Sequence, residues 1–132
     1  MAHSRHLPLY AAAYAFSKEI YRLKIKLPKA MKHDLGQEAF HSAIKILKCI
    51  VIANQLKDKS VTLSRLLLEI EVLWVFLRLI FDLRGVSEGE FKVLSERLAS
   101  IEKQAQAWLQ WQQKAAKKSP ENLAADKNNR MT

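Results

Sequence analysis

The sequence contains few of the residues that interrupt helices or build covalent and metal-bound frameworks. Three glycines, three prolines, four histidines and one cysteine occur in 132 residues. The single cysteine, Cys49, excludes an intramolecular disulfide framework, and the scarcity of glycine and proline predicts long, uninterrupted elements. Apolar residues make up 49% of the chain, which is too many for an intrinsically disordered protein. We therefore expect one globular domain with a substantial core.

The chain also lacks a long uncharged apolar run. Its most hydrophobic stretch, LLLEIEVLWVFLRLIFDL, is interrupted by Glu69, Glu71, Arg78 and Asp82, whereas a bilayer-spanning helix needs ~20 mostly apolar residues. The faintly apolar HLPLYAAAYAF is preceded only by Arg5 and fits a signal peptide poorly. The sequence therefore predicts a soluble, cytoplasmic protein without a membrane partner.

Positive charge is abundant but unevenly distributed along the chain. The formal net charge is +9: eleven Lys/Arg against four Asp/Glu in residues 1–59, six against seven in 60–113, and five against two in 114–132. A basic surface on one part of an otherwise balanced protein is typical of a polyanion-binding protein.

Hydrophobic periodicity predicts four helices, at about residues 9–27, 34–56, 61–84 and 88–117. Short connections between them favour an all-α, antiparallel up-down four-helix bundle. We assign residues 1–118 to this bundle. The polar, aperiodic segment 119–132 is predicted to be a disordered basic tail.

Local signals support these helices. The first helix has an apolar seam with alternating spacings of four and three residues, formed by Leu9, Ala13, Phe16, Ile20, Leu23 and Leu27. Gly36 lies in the small-residue stripe of the second helix, where it would let a neighbouring helix approach closely. Gly85 is a plausible C′ residue of the third helix. Ser87 and Glu90 have the spacing of a capping box at the start of the fourth helix.

The third helix is apolar around most of its circumference. A helix of this kind must be covered on nearly all sides, and three partner helices in a small bundle would leave part of it exposed to water. We therefore predict a homo-oligomer, with the following interface residues on this helix: Leu68, Val72, Trp74, Val75, Phe76 and Leu79.

Candidates for catalysis or metal binding are weak. His33 with Asp34 and Glu38 could form a loose metal site, although an exposed histidine in a basic turn is the favoured interpretation. Cys49 lies on the polar side of its helix without a partner at catalytic spacing. We expect no enzymatic activity, no cofactor, no metal and no small-molecule substrate.

Other unusual side chains have structural explanations that we favour over ligand binding. Asn54 is expected to be a buried amide that bonds open carbonyls or the adjoining loop. Trp108 and Trp111 could stack on bases, but Trp108 lies in the core seam of the fourth helix. Glu69 is expected to pair with Arg65 at i, i+4.

The basic residues of the first half of the chain form the strongest functional signal. They belong to the first two helices and the turn between them, so an antiparallel hairpin would bring them together, and few acids dilute them. Phosphate contact rather than base reading is expected, with steep salt dependence. The predicted nucleic-acid-binding residues are Lys18, Arg22, Lys24, Lys26, Lys29, Lys32, Lys45 and Lys48.

The segment LPKAMKHDLGQEAFHSAIKILKCIVIAN resembles the hallmark of the accessory variability determinant (Avd) proteins of diversity-generating retroelements. The resemblance consists of Leu27-Pro28-Lys29, Leu35-Gly36-Gln37 and Ile50 with Ala53-Asn54, and it extends over about residues 9–111. The wider superfamily includes proteins encoded in intervening sequences of ribosomal RNA genes. Their second helix ends in Ala-Asn-Ile-Ala-Glu-Gly, whereas this chain has ANQLKDK.

This resemblance implies a homopentameric barrel that binds a reverse transcriptase and its template RNA, or an RNA/DNA hybrid. It would support mutagenic cDNA synthesis without catalytic residues of its own. Arg78 and Arg84 are the residues assigned to the polymerase. The alternative is a structural interaction module of the intervening-sequence family that binds an acidic protein or RNA.

Overall fold

The computed structural model describes residues 7–117, which form four long helices and contain no strand. These helices are α1 (Pro8–Lys26), α2 (Gln37–Gln55), α3 (Ser60–Asp82) and α4 (Glu88–Lys117). A helical turn, Lys29–Met31, and a π-helical segment, Lys32–Gly36, join α1 to α2. The prediction of an all-helical fold with four helices is confirmed. The predicted tail at 119–132 and both ends of the predicted domain lie outside the described residues.

The periodic apolar positions of all four helices meet in one core. Each helix packs against the next one in the chain, and α1 also packs against α4. The predicted seam of α1 is buried along its whole length, and so is the small-residue stripe of α2. The largest fully buried side chains are Ile20, Ile46, Ile50, Leu63, Leu66, Ile70, Leu73, Leu77, Ile80, Leu98 and Ile101.

Proline marks both ends of α1. Pro8 occupies the first turn, where its missing N–H would have no intrahelical partner in any case. Leu27 is extended, with ψ 153°, and Pro28 follows it, as expected because a residue before proline avoids the helical region.

The connection from α1 to α2 is more helical than the sequence predicted. The chain re-enters a helix at Lys29 rather than near Asp34, and Lys32–Gly36 adopts a π-helical conformation. Gly36 is buried against α1: an added Cβ would lie 2.9 Å from Leu27 Cδ1 and 3.1 Å from Lys24 Cγ. The predicted close approach at this glycine is confirmed.

A lysine side chain stabilises the carboxyl end of α2. Lys59 Nζ donates to the carbonyl oxygens of Ala53, at 2.9 Å, and Leu56. This places a positive charge at the negative end of the helix dipole. Asn54, beside this cap, is buried with 8% exposure, as predicted, whereas the role of Lys59 was not predicted.

Arg84, not Gly85, takes the left-handed C′ position after α3, so the prediction for Gly85 was wrong. Arg84 has φ 62°, and the N–H groups of Arg84 and Gly85 donate to Phe81 O at 2.9 Å and Ile80 O at 2.8 Å. This is the Schellman pattern, with the glycine at C″. Gly85 is required for space instead, since an added Cβ would lie 2.5 Å from Met31 Sδ.

The predicted capping box at the start of α4 is confirmed. Glu90 N donates to Ser87 Oγ at 3.1 Å, and Ser87 N donates to Glu90 Oε1 at 3.2 Å. The rings of Phe81 and Phe91 stack at 4.3 Å across the α3–α4 connection. These contacts determine where α4 begins and fix it against the end of α3.

Candidate nucleic-acid interface

The predicted basic residues lie on the surface. Six of the eight predicted cations are exposed, and the other two, Lys24 and Lys32, are half-buried. None of the eight takes part in an ion pair within the described part of the chain; the three pairs found there involve Arg65, Arg78 and Arg97. Their charge is therefore not neutralised by neighbouring carboxylates.

The acids nearest to these cations have other partners. Glu19 of α1 forms an ion pair with Arg97 of α4. The carboxylate of Asp34 accepts a hydrogen bond from the backbone N–H of Leu35. These two carboxylates are therefore engaged with groups other than the predicted cations, which helps to preserve the positive potential of the surface.

The predicted cations line more than one groove of the surface. Lys18 and Arg22 line a groove between α1 and α2, while Arg22 and Lys26 line a second groove between α1 and α4. Lys48 lies two residues from each of the buried Ile46 and Ile50, so it points about 160–200° away from them. Lys48 therefore lies on the outer side of α2.

We call the groove that Lys18 and Arg22 line between α1 and α2 the α1–α2 groove. It is open, has a volume of about 340 Å³, and combines aromatic, aliphatic and basic side chains. Its lining residues are Tyr14, Ser17, Lys18, Tyr21, Arg22, Phe40, Ile44 and Leu47. Lys24 continues this surface in an adjoining depression of similar volume, which also includes Phe40.

Aromatic rings and cations alternate in the α1–α2 groove. Tyr14 and Tyr21 are each 48% exposed. Lys18 Nζ lies 5.0 Å from the centre of the Tyr14 ring, and Lys24 Nζ lies 5.7 Å from that of Phe40. Tyr21 packs edge-to-face on Phe40 at 5.3 Å. The sequence interpretation missed these rings, although Tyr14, Lys18 and Tyr21 have the i, i+4, i+7 spacing of one helix face.

The second groove, between α1 and α4, has a volume of about 420 Å³ but a mixed charge. Arg22 and Lys26 line this groove together with Glu19 and Glu90, and its apolar lining includes Leu94. Carboxylates at the rim weaken its attraction for a polyanion, so the α1–α2 groove is the better candidate for phosphate binding.

The outer face of α3 keeps apolar side chains exposed. Among the predicted interface residues, Leu68, Val75 and Leu79 are 53%, 57% and 40% exposed, and Val72 is half-buried. Their spacing of seven and four residues places them on one stripe. We call these four residues the α3 stripe.

Two other predicted interface residues also contact the chain's own core. Trp74 and Phe76 are half-buried and pack against the core cluster. Trp74 also lies near Glu102 of α4. Burial raises the pKa of the Glu102 carboxyl, and the charge of Glu71 and a hydrogen bond with it raise this pKa further, whereas the interaction with Trp74 lowers it.

The two arginines assigned to a polymerase are both exposed. Arg78 pairs with Asp82, with Nε 3.1 Å from Oδ1, and its guanidinium lies 5.8 Å from the centre of the Phe81 ring. Arg84 occupies the C′ position described above. The structure thus gives each arginine a local structural role.

Most of the remaining candidate side chains pack against the core or form an ion pair within the chain. Cys49 is half-buried and packs against the core cluster, which corrects its predicted position on a polar face. Burial raises the pKa of the Cys49 thiol, the nearby Glu69 raises it further, and Arg65 lowers it. Glu69 pairs with Arg65 at 3.3 Å, as predicted. Trp108 packs against the core, whereas Trp111 is 59% exposed.

His33, Asp34 and Glu38 do not form a metal site: residues 7–117 contain no group of three side chains that could hold a metal ion. None of the helices in this range is both long and apolar enough to cross a bilayer. No protein-family model matches the chain, and no curated protein matches it.

Proposed function

We propose that this protein is a non-catalytic accessory protein of a diversity-generating retroelement, which binds template RNA and the reverse transcriptase. The family and the polymerase partner are drawn from the resemblance of the α1–α2 region to accessory variability determinant proteins. The RNA-binding part of the proposal is supported independently by the charge distribution, and it can be tested without the polymerase.

One observation carries the RNA-binding proposal: the cations of α1, α2 and their connection lack carboxylate partners in the described chain. Proteins normally intersperse surface charges of both signs. An excess of like charge repels itself and destabilises the compact state, and a bound polyanion would relieve this repulsion. Each phosphate contact also releases condensed counterions, which makes binding favourable at low salt.

The same proposal includes a homo-oligomer built on an antiparallel up-down bundle. The α3 stripe supports association, because a contiguous apolar face on a soluble domain marks an interaction site. The short connections and the packing of each helix on its neighbour support the antiparallel arrangement. The pentameric number rests on the family resemblance. In a ring, repeated basic surfaces would act on one RNA with increased avidity.

Salt-dependent RNA titration tests the proposal. We expect the affinity for a labelled RNA to fall linearly with salt on a log–log scale, by ~0.7 per phosphate contact for single strands. A triple variant of exposed cations, Lys18→Glu, Lys26→Glu and Lys29→Glu, should weaken binding at least about tenfold and flatten this slope.

A matched control carries the same change of charge elsewhere. Lys92, Lys103 and Lys114 are exposed on α4, so their replacement by glutamate alters net charge equally without touching the candidate surface. An equal loss of RNA affinity in both triple variants would show that only net charge matters. It would contradict the assignment of RNA binding to the cations of α1, α2 and their connection. Absence of RNA binding by the unmodified protein at low salt would refute it. A nuclease-resistant complex with one acidic protein would favour the interaction-module alternative.

A further inference from the structure

The α1–α2 groove differs from an ordinary basic surface because it exposes aromatic rings between its cations. Tyr14 and Tyr21 are separated by seven residues of one helix, or ~10 Å along its axis. That distance is about three stacked-base intervals of ~3.4 Å. Each ring is 48% exposed. Half-exposed rings on one face, at base-compatible spacing, are stacking platforms for nucleobases.

The rings are held in place by neighbours that leave this surface accessible. Tyr21 is supported from the side by Phe40 of α2, in an edge-to-face contact with an interplanar angle of 62°. Tyr14 packs on Tyr10 of the preceding turn, with ring centres 5.9 Å apart. Both tyrosines therefore have reduced freedom before any ligand binds, which lowers the entropic cost of recognition.

The cations beside these rings are available for phosphate. Lys18 and Arg22 are exposed and have no ion-pair partner in the described chain. Lys18 lies over the Tyr14 ring, but an exposed cation–π contact contributes only ~0.5–1 kcal/mol. The ammonium group can therefore exchange this contact for a phosphate while a base occupies the ring face.

We propose that the α1–α2 groove binds an unpaired nucleic-acid strand, with bases stacked on Tyr14 and Tyr21 and phosphates on Lys18, Arg22 and Lys24. This inference rests on the proposed function and specifies its substrate: an unpaired strand rather than a duplex. In a duplex the base faces are occupied by neighbouring pairs, so a ring on a helix surface cannot stack on them. An acidic peptide would use the cations but has no need of exposed rings.

The test compares a 12-nucleotide unstructured RNA, the same sequence as DNA, and a blunt 12-base-pair RNA duplex, by fluorescence anisotropy at constant salt. The double variant Tyr14→Leu, Tyr21→Leu keeps apolar side chains but removes both π faces. With about fivefold per ring, the low end for base–aromatic stacking, it should bind the single strand about 25-fold more weakly. Its affinity for the duplex should change by less than about threefold, because the cations remain.

Three controls separate stacking from folding and from general aromatic loss. Tyr14→Phe with Tyr21→Phe retains the rings and should bind like the unmodified protein. Trp111→Leu removes an exposed ring of α4 outside the groove and should have no effect. If the double variant has a lower melting temperature than the unmodified protein, the single variant Tyr14→Leu becomes the decisive test, because Tyr14 does not support Phe40.

The outcomes distinguish this inference from the function on which it rests. Binding of single strand and duplex with equal sensitivity to the leucine variants, or with no sensitivity, overturns the stacking site and leaves the RNA-binding proposal standing. Failure of the unmodified protein to bind any of the three probes overturns the proposed function itself. Selective loss of single-strand binding supports the site, whether the strand is RNA or DNA.

Discussion

The α3 stripe gives a prediction whose magnitude can be worked out from the structure. Complete burial of a leucine or valine side chain stabilises by ~1.5–3 kcal/mol. Leu68 and Val75 are 53% and 57% exposed, so about half of that, ~1 kcal/mol each, is still available for association. Replacement of Val75 by glutamate removes this contribution and adds the cost of desolvating a carboxylate, which is several kcal/mol.

We therefore expect Val75→Glu to weaken self-association by several kcal/mol per interface, or more than about 100-fold in the dissociation constant. Sedimentation velocity across about 1–100 µM should show a large assembly for the unmodified protein and a monomer for the variant. The fold should persist, because Val75 is 57% exposed in the single chain and is not one of the buried core residues.

A valine on another helix provides the control for this experiment. Val93 of α4 is 46% exposed, and Val93→Glu adds the same charge away from the stripe. It should leave the assembly intact. A monomeric unmodified protein at the highest concentration would refute the reasoning, as would an assembly that survives Val75→Glu but not Val93→Glu.

Three further predictions concern stability. Gly85→Ala should lower the free energy of unfolding by ~1–3 kcal/mol in urea titrations, because the new methyl group would overlap Met31. Arg84→Gly should instead raise the free energy of unfolding by ~0.5 kcal/mol, because glycine adopts the left-handed conformation without strain. A Gly85→Ala protein as stable as the original would contradict the observed packing. Glu102→Gln should stabilise the protein at neutral pH by ~0.5 kcal/mol. Because folding raises the pKa of Glu102, its protonated side chain contributes stability to the folded protein. This stability is fully present below the ordinary pKa of 4.5 and is lost as the pH rises through the folded-state pKa. The stabilisation by Glu102→Gln should therefore vanish in thermal melts at about pH 4. A stabilisation that does not depend on pH would exclude burial and the charge of Glu71 as its cause.

Local sequence patterns determined the helices and the core. The seam of α1 from Leu9 to Leu27 is buried as its periodicity required, and the capping box of Ser87 and Glu90 forms with both of its hydrogen bonds. Such features involve residues within about four positions of one another, so the regular geometry of a helix relates them directly. The uncompensated positive charge is likewise a property of composition and can be read without a fold.

Tertiary packing decided what these residues meet. Arg22 shares one groove with Lys18 and another with Lys26, because side chains at different angles on a helix face different neighbours. Phe40 supports Tyr21 where α1 and α2 touch. Gly85 lies where Met31 and Leu27 approach, whereas the residue before it, Arg84, takes the left-handed position. These outcomes depend on distances between helices, and a one-dimensional period contains no information about such distances.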